Sequence, residues 1–234
     1  MLTTIAFDAD DTLWRNNSHF TITETTFANL LQEYSQTKDL NKQLLETEKQ
    51  NLNYYGYGAK GYTLSMIETA IEVTQGRVPT TIISQLLDLG RELLRYPIEL
   101  YSGVEEVLHE LQGEYRIILI TKGDLLDQER KISQSGLADQ FETINIVSEK
   151  SKEVYQKIFK DVGVDPTNAL MVGNSLRSDI IPPLEIGSYA VLIPNQDEWI
   201  YENEGQVPTP SKRFFEIKNI SELPKTVKKI VESL

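Results

Sequence analysis

Three stretches of the chain carry apolar residues with almost no polar alternation: Thr3-Thr4-Ile5-Ala6-Phe7, Tyr115-Arg116-Ile117-Ile118-Leu119-Ile120 and Ala169-Leu170-Met171-Val172. Such runs are expected of strands buried on both faces of a sheet. Weaker strand patterns follow at residues 143–147, 189–193 and 214–217. Between them the period changes to that of a helix. Val104, Val107, Leu108 and Leu111 fall at i, i+3, i+4 and i+7, one face of an amphipathic helix. Val154, Ile158 and Val162 mark another, and Leu223, Val227, Ile230, Val231 and Leu234 mark a third after Ser221. Strands separated by helices of this length predict βαβ units and a parallel sheet, with ligands bound outside the carboxyl ends of the strands.

Residues 16–96 break this alternation with helix after helix. Phe27, Leu30, Leu31 and Tyr34 form one apolar face; Ile83, Leu86, Leu87 and Leu94 form another, in a segment that tolerates Gly90. Pro97 and Ser102-Gly103 mark the return to strand and helix. The expected class is α/β: a doubly wound, Rossmann-like parallel-sheet core from residues 1–15 and 97–234, with an all-helical domain of residues 16–96 inserted after the first strand.

At 40% hydrophobic and 25% charged residues, the 234-residue chain has ordinary globular usage. It has no apolar run long enough to span a bilayer, and its first residues lack the basic stretch of a signal peptide. The absence of cysteine excludes a disulfide scaffold and cysteine catalysis, and suits the cytoplasm. A net charge of −12 argues against nucleic acid as main partner and against an anionic membrane surface. Oligomeric state is not legible.

Four polar clusters stand at the ends of predicted strands. Asp8-Ala9-Asp10-Asp11-Thr12 puts three carboxylates in four residues, a repulsion that calls for a nearby cation or a protonated member; the bland reading is a solvated turn. Thr121-Lys122-Gly123-Asp124 offers a hydroxyl and then backbone N–H groups opening a helix, a cradle for phosphate, or simply a helix cap. Lys150-Ser151-Lys152 supplies a lysine that could neutralise a phosphoryl group, although most lysines at helix ends are exposed. In Gly173-Asn174-Ser175-Leu176-Arg177-Ser178-Asp179, Asp179 could hold a hard cation through oxygen or merely begin a helix. Each signal is weak alone; four of them, in this order at strand ends, are much harder to explain as packing.

With these motifs the chain resembles the haloacid dehalogenase-like hydrolases over essentially its whole length. Asp8, Asp10 and Thr12 match the family's Asp-x-Asp-x-Thr; Thr121 matches the Ser or Thr that closes a hydrophobic strand; Lys150 or Lys152 matches a lysine before a helix; Gly173 and Asp179 match in part an acidic motif. The helical insertion stands where many members carry a cap. The resemblance implies a Mg²⁺-dependent phosphatase. Asp8 would be the nucleophile, forming an aspartyl-phosphate. Asp10 would protonate the leaving group, then activate water, and offer its backbone carbonyl to Mg²⁺. Thr12, Thr121, Lys122 and Gly123 would serve phosphate, Lys150 would neutralise charge, and Asp8, Asp10, Asn174 and Asp179 would form the metal site. Lys150, five residues before Tyr155, is favoured over Lys152. Asn174 stands where many members have Asp, which removes a charge from that site.

The implied alternatives are a 2-haloacid dehalogenase, which needs no acid two residues after its nucleophile and is therefore disfavoured by Asp10, and a non-catalytic phosphate-ligand binding protein derived from a phosphatase. A phosphorelay receiver is disfavoured by length and by the insertion. The implied substrate is a small phosphorylated metabolite. Residues 53–62, with Tyr54, Tyr55, Tyr57 and Lys60 among glycines, are the place where substrate recognition is expected; packing of the tyrosines is the bland alternative.

Overall fold

The structure is a computed structural model, described for residues 1–35, 39–195, 199–203, 205–206 and 212–233. Six strands form one parallel sheet: β1 (Thr4–Phe7), β2 (Arg116–Lys122), β3 (Thr143–Val147), β4 (Ala169–Gly173), β5 (Tyr189–Leu192) and β6 (Phe214–Glu216), in the order β3-β2-β1-β4-β5-β6. The order reverses beside β1, so the carboxyl end of that strand is the topological switch point of the sheet. Ile5 lies opposite Ile117 on one side and Leu170 on the other.

The unbroken apolar runs are explained by alternation between two cores. Ile5, Phe7, Ile117, Leu119, Leu170 and Val172 point into one, with residues of α5 (Val104–Gln112) and α9 (Leu223–Glu232). Ala6, Ile118, Ile120 and Met171 point into the other, against Tyr155, Ile158 and Phe159 of α7 (Lys152–Asp161). α6 (Leu125–Ser135) follows β2, and α8 (Ile181–Glu185) lies between β4 and β5. Both faces of the sheet are therefore dry, as the class predicted from sequence requires. Leu234, expected on the face of α9, lies outside the described residues.

The described residues of Met1–Asn17, Ile98–Lys122 and Gln128–Leu234 form one compact unit; those of Ser18–Pro97 and Gly123–Asp127 form a second. In the second unit, α1 (Asn17–Leu31), α2 (Leu40–Tyr55), α3 (Ala59–Val73) and α4 (Thr80–Leu93) surround their own apolar cluster, which includes Phe27, Leu31, Leu44, Met66, Ile82 and Leu86. Among the described residues no helix is long and apolar enough to cross a membrane.

Two faces in the helical unit differ from the periodicity reading. Tyr34 lies beyond the end of α1 and is exposed; Thr23 joins Phe27 and Leu31 instead. On α4 the buried residues are Ile82, Leu86, Gly90 and Leu93: Leu86 lies where expected, whereas Ile82 and Leu93 take the places expected of Ile83 and Leu94, and Leu87 is exposed. Gly90 is thus required rather than tolerated: a Cβ there would collide with the Thr63 side chain of α3. Gly90→Ala gains up to about 1 kcal/mol of helix propensity but should lose more to overpacking, about 1–3 kcal/mol. Thermal melts should show a lowered Tm for Gly90→Ala in the wild-type background and a clearly smaller loss in a Thr63→Ala background, where the hydroxyl and methyl are gone and only the Cβ contact at 2.9 Å remains.

Candidate active site

The three carboxylates after β1 are separated by giving each a different partner. Asp8 is still held by the sheet, its backbone N–H donating to the Val172 carbonyl (2.9 Å). Its carboxylate receives the Lys150 ammonium at 2.5 Å, and the same ammonium donates to Asp179 at 2.7 Å. All three residues are buried. Asp10 receives Trp14 Nε1 (2.7 Å), Gln128 Nε2 (2.8 Å) and Lys131 Nζ (2.9 Å). Asp11 turns the chain at φ 63° and accepts the backbone N–H groups of Asn16 and Asn17 (3.0 Å each). The repulsion legible in the sequence is met by two lysines and a backbone turn.

These partners set the charge states. Burial raises Asp8, against the pull of Lys150, to about 7. Burial also opposes the charge on Lys150, but Asp179 and Asp8 outweigh it and hold the ammonium above its ordinary range. Taken singly, the raised Asp8 points to a neutral acid and the raised Lys150 to a salt bridge; the short contacts from one ammonium to two carboxylates favour the salt bridge, with the proton on Lys150. For Asp10, burial raises the pKa, yet Lys131 and the hydrogen bonds from Gln128, Lys131 and Trp14 prevail, and its net shift is downward. Asp10 is held as a carboxylate, able to accept a proton; donating one requires release from Lys131.

On the β4 side, the Thr12 hydroxyl donates to Asp8 Oδ2 (3.0 Å). With its amide nitrogen turned inward, Asn174 donates to the Asp10 carbonyl (3.1 Å), Thr12 Oγ1 (3.1 Å) and Asp8 Oδ2 (3.3 Å). With Oδ1 turned inward instead, Asn174 faces the Asp8 and Asp10 oxygens, a convergence of acceptors that a hard cation would satisfy. Among the described residues no three His, Cys, Asp or Glu side chains form a metal cluster; this oxygen set mixes a carboxylate, a backbone carbonyl and an amide. Two carboxylates against one ammonium also leave negative charge in excess beside it. The residues therefore fit Mg²⁺. On the β2 side, the buried Thr121 hydroxyl has no hydrogen-bond partner among the described residues, which leaves its O–H to donate to an incoming oxygen.

A family model described as haloacid dehalogenase-like hydrolase matches residues 2–187. The chain belongs to that family of hydrolases. A haloacid dehalogenase-like family hydrolase from Xanthomonas campestris is 38% identical, with 97% of this chain and 91% of that chain covered and a TM-score of 0.86. The N-acylneuraminate-9-phosphatase of Mus musculus is 28% identical over 171 residues, 70% of this chain and 66% of that protein, so the match spans just under two-thirds of that relative. The HAD-hydrolase YfnB of Bacillus subtilis, in a structure bound to magnesium, shares the fold at 19% identity, with 97% and 99% of the two chains covered and a TM-score of 0.68. In this haloacid dehalogenase-like hydrolase the helical insertion α1–α4 after β1 corresponds to the family's cap.

Several residues expected at the site have other partners. Asp179 takes Lys150 on one oxygen and the Ser175 N–H (3.1 Å) on the other, rather than joining the oxygens around Asn174. Lys122 donates to Glu202 (2.7 Å) and Ser178 (2.8 Å), so its ammonium is already neutralised. Gly123, at φ 149°, opens the turn after β2, and Asp124 caps the next helix by accepting Asp127 N–H (3.0 Å). Within the cap unit Lys60 pairs with Asp124 (2.8 Å), a carboxylate of the chain in place of a substrate anion. The expected recognition loop is only the tight turn Gly56-Tyr57-Gly58, with φ 69° and 105° at its glycines; Asn53, Tyr54 and Tyr55 end α2, and Tyr62 is buried in α3. Tyr57 is half-buried in that turn. Lys152 is exposed beside Glu153.

Sequence reasoning missed Trp14, Gln128, Lys131 and Glu202. The only sequence signal for the α6 pair was Gln128 and Lys131 at i, i+3, polar residues on a buried helix face. Removing one partner of a buried ion pair costs about 3–5 kcal/mol, so denaturant unfolding of Lys150→Ala should show a loss of that order, whereas Lys152→Ala should lie within about 0.5 kcal/mol of wild type. Equal stabilities would place Lys150 outside the buried pair.

Proposed function

We propose that this hydrolase is a Mg²⁺-dependent phosphatase of small phosphorylated metabolites, working through an aspartyl-phosphate, with a core of residues 1–15 and 97–234 and a cap of residues 16–96. The observation that supports it most is Asp10: two residues after the nucleophile, a second carboxylate is built into the site by three donors, and only a reaction that moves a proton to and from oxygen needs it. A dehalogenase has no use for that group, and a binding protein has no use for a nucleophile against a lysine. The phosphatase among the relatives agrees in reaction class. A chain without cysteine suits the cytoplasm in which we place it.

In the first step an Asp8 carboxylate oxygen attacks phosphorus and the ester oxygen leaves, taking a proton from Asp10. Asp10 must first exchange its Lys131 contact for that proton. In the second step Asp10 takes a proton from water as the water oxygen attacks the same phosphorus, releasing phosphate and restoring the Asp8 carboxylate. Lys150 offsets the charge that otherwise repels an anionic nucleophile from an anionic ester. Thr121 donates to a phosphoryl oxygen, and Thr12 steadies Asp8. Asp8, the Asp10 carbonyl and Asn174 Oδ1 would hold Mg²⁺, with Asp179 in reserve behind Lys150; when bound, the ion withdraws charge from the phosphoryl oxygens. Lys122, Gly123, Tyr57 and Lys60 remain candidates for substrate contact, the two lysines only after leaving Glu202 and Asp124.

Asp8→Asn should abolish phosphate release from an aryl phosphate while leaving the melting profile folded; turnover within tenfold of wild type would overturn the mechanism. Asn174→Asp adds a charge to the proposed metal site, and the Mg²⁺ concentration for half-maximal activity should fall about tenfold, the equivalent of ~1.4 kcal/mol. An unchanged or raised requirement would remove Asn174 from the metal site.

A further inference from the structure

β2 and β4 flank β1, so the end of β2 and the turn after β4 form the two walls beside Asp8: Thr121 and Lys122 on one side, Asn174 to Asp179 on the other. The ladder pairs Phe7 with Leu119 and with Val172 and then ends. Beyond it the spacing of the walls needs another tie. Lys122 at the end of β2 donates to Ser178 Oγ at 2.8 Å and to Glu202 Oε1 at 2.7 Å. The other oxygen of Glu202 accepts Ser175 Oγ at 2.6 Å and Ser178 Oγ at 2.5 Å. Ser175 in turn caps the wide π-helical turn Leu176–Ile180 by accepting the Ser178 N–H (2.9 Å), and its own N–H holds Asp179. One carboxylate thus reaches both walls.

Glu202 is placed for this. It stands on the short helical turn Ile200–Asn203, next to Tyr201, whose ring lies under the Arg177 guanidinium at 4.2 Å, a cation–π contact to the same β4 loop. Its side chain is 13% exposed and that of Lys122 10%, so the pair is screened little by solvent. Burial opposes the charge on Glu202, but Lys122 and the serine hydroxyls prevail and hold it below the usual carboxylate range. Glu202 also lies outside residues 2–187, the part that matches the family model.

We propose that Glu202 is a positioning residue: by bridging Lys122 to Ser175 and Ser178 it fixes the distance between the two loops that flank Asp8, and through Ser175 it sets the Asp179 carboxylate that holds Lys150. Glu202 touches no reacting atom. The chain of contacts runs from Glu202 to Ser175, Asp179, Lys150 and Asp8, each link hydrogen-bonded. Misplacing catalytic groups by about 1 Å can cost on the order of a hundredfold in rate, so the bridge should act on kcat more than on substrate affinity. The catalytic part of this inference rests on the phosphatase reading; the bridge itself does not.

The test compares Glu202→Ala, Glu202→Gln and Ser178→Ala with wild type in two assays. In the first, steady-state hydrolysis of an aryl phosphate with Mg²⁺, Glu202→Ala should lower kcat at least tenfold with KM within about threefold. Glu202→Gln, which keeps an acceptor for the serines but loses the charge opposite Lys122, should fall between Glu202→Ala and wild type. In the second, acetic anhydride labelling read by peptide mass spectrometry without metal or substrate, Lys122 should react at least fivefold faster in Glu202→Ala, with Lys152 unchanged as internal control. A kcat within twofold of wild type in the folded Glu202→Ala variant would overturn the positioning role, and unchanged Lys122 labelling would overturn the bridge. Should Glu202→Ala fail to fold, Glu202→Gln and Ser178→Ala decide: wild-type kcat and labelling in both overturns the proposal, and loss of kcat with faster labelling upholds it. A wild-type protein that hydrolyses no phosphate ester would sink the phosphatase reading and with it the positioning role, and the labelling assay would still decide the bridge.

Discussion

A lysine whose side chain is 1% exposed keeps its charge only where carboxylates surround it, and Lys150 meets that condition through Asp8 and Asp179. The rest of the site follows from this contact. A buried aspartate without Lys150 would take up a proton and lose its nucleophilic oxygen. Asp179 without Lys150 would be an uncompensated charge against the backbone of β4. Removing the lysine therefore strikes the fold and the chemistry at once.

The same economy governs the turn after β1. Three acids in four residues would repel if they faced one way. Past the end of β1 at Phe7 the chain leaves the sheet, Asp8 meeting Lys150 and Asp10 meeting Lys131, and the left-handed backbone at Asp11 turns its carboxylate back on the chain. The result is two carboxylates of different character two residues apart: one against a lysine shared with Asp179, the other fixed by three donors. That asymmetry is what an attacking group and a proton carrier require. β2 and β4, paired on either side of β1, then bring Thr121 and Asn174 to the same edge.

The strands were legible because they are buried on both faces, so their apolar runs are unbroken. Asp8, the Thr121 hydroxyl and Lys150 were legible as candidate residues because each stands directly at a strand end or helix start. The face of α4 was not, because Ile82-Ile83, Leu86-Leu87 and Leu93-Leu94 are apolar pairs that satisfy the helical period in either register; Gly90, which has no side chain to count as apolar, decides it by its fit against Thr63. The glycines of residues 53–62 suggested a long loop, yet two positive-φ residues suffice for a tight turn between helices. Lys131 and Glu202 were hidden for a different reason. Their charged partners, Asp10 for Lys131 and Lys122 for Glu202, are 121 and 80 residues away in the chain, and nothing in local pattern distinguishes a buried, paired charge from a solvated one.

In the proposed reaction Asp8 itself accepts the phosphoryl group. This step is tested most directly by mixing enzyme, Mg²⁺ and a slowly hydrolysed phosphate ester, quenching in acid within one turnover, reducing with borohydride, and sequencing the peptides by mass spectrometry. An acyl phosphate on Asp8 is reduced to homoserine, so homoserine is expected at position 8 in wild type and none in Asp8→Asn. An unmodified Asp8 in a sample that has released phosphate, or the modification at Asp10 or Asp179 instead, would contradict it.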